Sequence, residues 1–359
     1  MNVLICVNSF KGTASSKEIN KILSKVLVRK GYDVVVKNVS DGGDGFLDCF
    51  SETGNIIKKK VTGPFYGSKI SASYVIDKKD AFIEIARVCG IRYLEEKQLD
   101  IMNATTYGVG ELIKDAINRG AIKIYLGLGG TASNDAGFGM AKALGVRFLD
   151  GKGDEVENSI FGLIRVKKID FSNFISIDGI DFYGVCDVKN KLLGKYGSAK
   201  IFGPQKGALP KDIPIIEKAL TNFKDVLLKQ KGIDISKITG GASAGGLGAG
   251  ISGILGGRLL NGSDFVMKKL NLISFIKKAD IIITGEGKLD KSSFYGKITG
   301  EIIKISLKYH KKIFVFCGLN EYEKAIRGAN LISFDKKYPV PFLKKNILSV
   351  LKKEINNIL

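Results

Sequence analysis

Histidine is all but missing from this chain: 359 residues contain one, His310, and no tryptophan. His310 lies in "LKYHKK", between a helical run and a strand, where an imidazole faces a helix C-terminus. Ser-His-Asp hydrolysis, Cys-His proteolysis and histidine-based zinc sites are thereby excluded. No G-x-x-x-x-G-K-[ST] and no H-R-D occurs, so the P-loop and the protein-kinase apparatus are absent as well. The five cysteines (Cys6, Cys49, Cys89, Cys186, Cys317) are odd in number, far apart and without C-x-x-C spacing. They read as reduced, mostly buried thiols of a cytoplasmic protein. The start, "MNVLICVNSFKG", lacks the basic region of a secretion signal. The uncharged stretch Gly240 to Gly257 is half glycine and a poor membrane span.

Two things are abundant. Glycine numbers 44, well above the usual ~7%. Lys and Arg exceed Asp and Glu by 56 to 36, a net charge of +20. The lysines are spread along the chain with no arginine-rich arm or RNP-like aromatic motif, so the surface suits anionic metabolites rather than nucleic acid.

At this length two cores are expected. The chain opens as β-α-β: "NVLICV", a helix from Ser15 or Ser16 to Val28 with Glu18 in its first turn, a stop at Gly31, then "DVVVKNV". The pattern recurs with a helix through Val109, Leu112, Ile113, Ala116 and Ile117, a stop at Gly120, and the strand "IKIYLGL". Toward the end come the strand "ADIIITGEG", a helix through Ile298, Ile302, Ile303 and Ile305, "KIFVFCG", and a closing helix from Phe342 to Leu359. Alternating β and α with near-continuous apolar strands predicts an α/β protein with mainly parallel sheet. Residues 1–61 and 266–359 are expected to share one doubly wound sheet, with 62–265 inserted as a second α/β domain. "VTGPFYG" and the glycine-rich 240–263 region are candidate crossing points.

Five strand-following loops share a composition: "NSFKGT", "SDGGDG", "GGTASNDAGFG", "CDVKNKLLG" and "TGEGKLD". Ligands of open α/β sheets sit outside the carboxyl ends of the strands, so these loops are expected to gather at one crevice. Glycine lets backbone approach an anion closely. Carboxylates beside such loops would repel phosphate unless Mg²⁺ lies between. Asp41, Asp44, Asp135, Asp187, Glu286 and Asp290, with Lys11, Lys206 and Lys297 nearby, therefore point to Mg-nucleotide chemistry. "GLGGTA" (Gly127–Ala132) also satisfies a G-x-G-x-x-A dinucleotide pattern, which keeps an NAD-dependent hydroxy-acid dehydrogenase as an alternative.

In order and spacing, "SFKGTASSKE", "SDGGDG", "VTGPFYG", "NATTYGVGELI", "GLGGTASNDAGFGMAKALGV", "CDVKNKLLG", "AKIFGPQKGA", "GGASAGGLGAG" and "ADIIITGEGKLD" resemble the bacterial type I glycerate kinases over nearly the whole chain. The resemblance implies a flavodoxin-like domain with a second domain inserted, an active site in the cleft between them, and ATP, Mg²⁺ and glycerate as ligands. It leaves room for a homodimer. By motif it implies Ser9 and Lys11, Asp41 with Gly42 and Gly43, Gly129, Gly130 and Thr131 with Asn134 and Asp135, Asp187 and Asn190, Lys206, Gly285 and Glu286, Asp290 and Lys297 as site residues. Asp187 or Asp135 is the candidate base for the acceptor hydroxyl. Lys11 and Lys297 are expected to neutralise phosphoryl or acceptor charge, Asp290 or Glu286 to hold Mg²⁺, and Lys206 or the "GGTAS" amides to receive glycerate's carboxylate. The chain departs from the family pattern at Asn8 (where Asp is usual), Lys191 (Pro), Lys288 (Arg) and Ser292-Ser293 (Gln-Thr). Losing a carboxylate at position 8 makes a catalytically weakened, ligand-binding member a further alternative.

Overall fold

The structure is a computed structural model and describes residues 1–322 and 324–358. Its strands are β1 (Asn2–Val7), β2 (Asp33–Val36), β3 (Asn55–Thr62), β4 (Lys69–Asp77), β5 (Asp80–Glu84), β6 (Lys123–Gly127), β7 (Arg147–Leu149), β8 (Lys168–Asp170), β9 (Asp181–Cys186), β10 (Arg258–Asn261), β11 (Ile281–Leu289), β12 (Lys312–Asn320) and β13 (Asn330–Ser333). The chain forms two compact α/β units, Met1–Cys49 with Asn261–Leu359, and Phe50–Leu260.

In the first unit both ends of the chain share a five-stranded parallel sheet of order β13-β12-β11-β1-β2. Val3 pairs with Ile281 on one side and Val34 on the other, so the sheet's middle comes from opposite ends of the sequence. The first helix, Ser16–Arg29, settles the choice of cap. Ser15 accepts from the Glu18 N–H at 3.2 Å while Glu18 reaches back to the Ser15 N–H at 2.9 Å, a reciprocal capping box. Ser16 instead donates to the Val7 carbonyl at 2.6 Å, tying helix to strand. The helix buries Ile19, Leu23, Val26 and Leu27 against Ile5, Val7, Ile283 and Phe316. The closing helix runs Val340–Ile358, and Leu359 lies outside the described residues.

The second unit has a six-stranded sheet of order β10-β9-β6-β5-β4-β3. It is mixed rather than all parallel: β5, β6 and β9 run parallel, while β3-β4 and β4-β5 are antiparallel. The cause is connection length, since antiparallel neighbours can be joined by tight turns whereas parallel ones need a crossover. "VTGPFYG" supplies one such turn, with Gly63 N–H on the Ser68 carbonyl at 3.1 Å, and Lys78-Lys79 supplies the other. All five cysteines are free and buried. Among the described residues no helix is long and apolar enough to cross a membrane.

Candidate active site

The five glycine loops divide between the two sheets instead of sharing one. "NSFKGT", "SDGGDG" and the segment after β11 belong to the first unit; "GGTASNDAGFG" and "CDVKNKLLG" belong to the second.

In the first unit Asp41 is the organising residue. Its Oδ1 accepts from the N–H of Ile298, the first residue of helix Ile298–Lys308, at 2.5 Å, and its Oδ2 accepts from the Asn8 side-chain amide at 2.8 Å. One carboxylate thus joins the end of β1, the "SDGGDG" loop and a helix N-terminus, whose dipole favours negative charge. Asn8 closes the arrangement through its Oδ1, which accepts from the Ser9 N–H at 2.8 Å. The Ser40 hydroxyl accepts from the Gly42 N–H at 3.2 Å, which shapes the turn through Gly42 and Gly43. Lys11 is exposed.

Around Asp41 stand two further carboxylates. Glu286 is 8% exposed and its Oε1 is buried with no hydrogen-bond partner among the described residues. Burial, reinforced by the Asp41 and Asp290 carboxylates and opposed by Ser293 and Lys297, pushes its carboxyl up to about 7. Asp290 is ionised more readily than an ordinary aspartate, because the Ser292 hydroxyl and N–H donate to its Oδ1 at 2.5 and 2.7 Å. Lys297 extends this chain, its Nζ donating to the Ser292 hydroxyl at 2.7 Å. Gly285 does not open a loop as expected. β11 continues to Leu289, and the Gly285 carbonyl is held by the Asn8 N–H at 2.8 Å.

In the second unit Asp135 is 3% exposed and its carboxylate accepts four hydrogen bonds: Thr106 N–H (3.0 Å) and hydroxyl (2.8 Å), Gly137 N–H (3.3 Å) and Gly139 N–H (3.1 Å). Burial raises this carboxyl while those donors oppose the rise. It ties the start of helix Tyr107–Asn118 to that of Phe138–Ala143. Asn134 is fully buried, its Oδ1 accepting from Ser198 at 2.6 Å and its Nδ2 without a hydrogen-bond partner among the described residues. Lys206 is also enclosed. Its Nζ donates to the Ser133 carbonyl at 2.6 Å and to Thr131 Oγ1 at 3.1 Å, and burial pulls the ammonium down to about 8. At 2% exposure Lys206 braces the loop.

Much of the glycine serves the same bracing. A Cβ on Gly245 would stand 2.0 Å from the Ser133 carbonyl oxygen, and one on Gly250 2.2 Å from that of Ala136, so helix Ser243–Leu255 lies backbone against backbone on this loop. Gly130 differs, with open space where its Cβ would be.

Asp187 is exposed just past the end of β9. The loop that follows borders an open cavity of about 440 Å³ lined by Lys189, Asn190, Lys191, Leu193, Lys195 and Tyr196. Asn190 holds it in shape by donating to the Tyr196 carbonyl at 2.8 Å. Strand order sets β9, β6 and β5 side by side, so Asp187, Gly129-Gly130 and the end of β5 share one edge of the sheet. The end of β5 carries residues the sequence reading overlooked: buried Glu84, ion-paired with Arg87 at 3.1 Å and Arg92 at 3.6 Å. The only signal was a Glu with arginines three and eight positions later in "AFIEIARVCGIR".

A family model described as the glycerate kinase family matches residues 3–355. The chain belongs to the glycerate kinase family. It is 36% identical over 326 residues to a glycerate kinase of Bacillus cereus, covering 89% of this chain and 85% of the relative. It is 34% identical over 331 residues to glycerate 2-kinase of Escherichia coli K12, with the same shares. A crystal structure of a chain described as a glycerate kinase 2 from Salmonella typhimurium LT2 superposes with a TM-score of 0.81 at 30% identity, covering 100% of this chain and 98% of that one. Family membership disfavours the dehydrogenase alternative, as does the geometry. A pyrophosphate turn delivers the ligand directly to a helix N-terminus, whereas here the next helix begins only at Phe138 and Asp135 occupies the intervening loop.

Proposed function

We propose that the protein transfers the γ-phosphoryl group of ATP to a hydroxyl of glycerate in the cytoplasm. The observation that carries this reading is the family match from residue 3 to residue 355. Phosphoryl transfer asks for positioning, charge neutralisation and an acceptor for the hydroxyl proton. Asp187, exposed beside the lysine-lined cavity, is the base. Lys189, Lys191 and Lys195 supply positive charge suited to a polyphosphate, and a 440 Å³ cavity falls within the range of small-ligand sites. Lys191 takes the place of the family's proline, so this chain adds a cation there.

Mg²⁺ is commonly bound through one or two carboxylates, the rest of its shell coming from phosphate and water. Among the described residues no group of three His, Cys, Asp or Glu side chains could hold a metal alone. The unpartnered Glu286 Oε1 together with ionised Asp290 fits the smaller requirement. The ion would supply charge neutralisation at the phosphate oxygens. Lys297, linked to Asp290 through Ser292, and exposed Lys11 add cationic charge to the first unit's rim.

The test is ADP release from Mg-ATP with glycerate and a panel of related hydroxy acids, with the product resolved as 2- or 3-phosphoglycerate by phosphorus NMR. Glycerate-dependent ADP release is expected. Its absence under conditions where ATP binds would support the weakened, ligand-binding reading instead.

A further inference from the structure

Tyr196 lines the open cavity after β9 together with Lys189, Lys191 and Lys195, yet it is 63% exposed. We propose that its ring is the platform on which the adenine base of the phosphoryl donor stacks, while the donor's phosphates meet the three lysines. The proposal rests on the ATP-dependent kinase reading and adds to it the residue that holds the base.

Single exposed aromatics are common on protein surfaces. Tyr196 differs in how firmly its backbone is held. Asn190 Nδ2 donates to the Tyr196 carbonyl at 2.8 Å, and the Asn190 carbonyl accepts from the Ala242 N–H at 3.0 Å. Fully buried Leu192 anchors the middle of the loop, and its carbonyl accepts from the Ser198 N–H at 2.9 Å. Gly194 turns the chain at φ 101°, a region that favours glycine, and the Gly197 N–H closes that turn on the Gly194 carbonyl at 3.0 Å. A Cβ on Gly197 would stand 2.9 Å from the Leu192 carbonyl oxygen, so backbone lies on backbone directly after Tyr196. A braced loop lowers the ordering cost of any ligand that covers its ring.

Composition decides the class of ligand. Lys189, Lys191 and Lys195 are exposed, and none is ion-paired among the described residues. Asp187, two positions before Lys189, offsets one of these charges, and the remainder still exceeds the single carboxylate of a three-carbon acid. Leu193 and Tyr196 add apolar and aromatic surface, which neither phosphate nor a small polar acid can cover. A molecule with a polyanionic end and a flat π face uses both halves of the lining, and ATP has that form. Lys195 Nζ lies 5.5 Å from the Tyr196 ring centre, so charge and ring are close enough to serve one ligand.

The chain contains no tryptophan, so Tyr196→Trp puts the protein's single indole at the proposed platform. Titration with ATP in the absence of glycerate is expected to quench its fluorescence saturably; inorganic tripolyphosphate, which carries the charge without the base, should quench it far less. Steady-state constants provide a second readout. A base–aromatic stack lost on truncation corresponds to roughly a 5- to 100-fold change in affinity. Tyr196→Ala is expected to raise KM for ATP by that factor and to leave kcat and KM for glycerate within about twofold. Tyr196→Phe keeps the ring and should hold KM for ATP within about twofold of the unaltered value. Inhibition by tripolyphosphate should be equally strong in the unaltered protein and in Tyr196→Ala. Asn190 binds the backbone carbonyl at position 196, so its hydrogen bond is retained in all three variants. An unchanged KM for ATP in Tyr196→Ala would overturn the proposal. So would tripolyphosphate inhibition weakened by the same factor, which would make the ring a support for the lysines, or an indole that ATP does not quench in a Tyr196→Trp protein that still turns ATP over. If the unaltered protein gives no glycerate-dependent ADP release while ATP quenches the indole, the glycerate kinase reading has failed and the nucleotide platform stands.

Discussion

Two buried carboxylates, one in each unit, sit in glycine-bearing segments and are treated in opposite ways. Asp135 is surrounded by four donors and holds two helix starts in place. Glu286 is almost as enclosed, yet one of its oxygens meets no donor among the described residues, and burial, helped by neighbouring acids, raises its proton affinity. A satisfied buried charge maintains the fold, whereas a buried carboxyl left without a donor is costly to ionise.

The strongest way to break this contrast is Asp135→Ala, which strands the Thr106, Gly137 and Gly139 donors in the interior. A loss of ~3–5 kcal/mol in denaturant unfolding is expected. Near-normal stability with abolished turnover would instead make Asp135 the chemical base. Asp187→Asn should do the reverse, lowering kcat by about 10²–10³ with unfolding midpoint and ATP affinity essentially unchanged. Normal kcat in that variant would remove Asp187 from the chemistry.

Glu286 should reveal itself through pH. Its folded carboxyl, about 7, lies above its ordinary 4.5, so the folded state binds the extra proton between those values. The stability this group contributes is complete below its ordinary value and is lost as pH rises through about 7. In metal-free buffer, the stability of the unaltered protein relative to Glu286→Gln should fall by about 1–3 kcal/mol between pH 5 and pH 8. A pH-independent difference would place Glu286 with Asp135 as a satisfied group. The smallest effect is expected from Asn8→Asp. It replaces an amide that donates to Asp41 with a second carboxylate, and should cost about 1 kcal/mol at pH 8, recovered at pH 5 or on adding Mg²⁺. No pH dependence there would show that Asn8 does not set the charge balance of the acidic rim.

The parts of the fold carried by local chemistry were readable in advance. Ser15 and Glu18 announce a capped helix, Gly31 ends it, and apolar strands alternate with amphipathic helices. The antiparallel β3-β4-β5 region was less visible, because Lys58, Lys59 and Lys60 on a half-exposed strand blur the alternation that marks one. Glycine itself was ambiguous. The same residue that lets backbone approach a phosphate lets helix Ser243–Leu255 lie on the Ser133–Gly137 loop, and composition does not separate those uses. Arg87 and Arg92 carry no motif at all. Their interest arises only when strand pairing sets Glu84 beside Gly127, a relation between residues more than forty positions apart.

The pairing of Val3 with Ile281 has a consequence for how the molecule is made. A ribosome adds roughly 5–20 residues per second, so the first strand waits about 15–60 seconds for its central neighbour to be synthesised. During that interval Phe50–Leu260 is already complete and can fold as a unit, while the nascent amino-terminal segment, with its apolar run Val3–Val7, must be kept from sticking to other chains. The insertion thus turns the middle of the polypeptide into the early-folding part, and the parallel sheet can close only once β11, β12 and β13 have been synthesised.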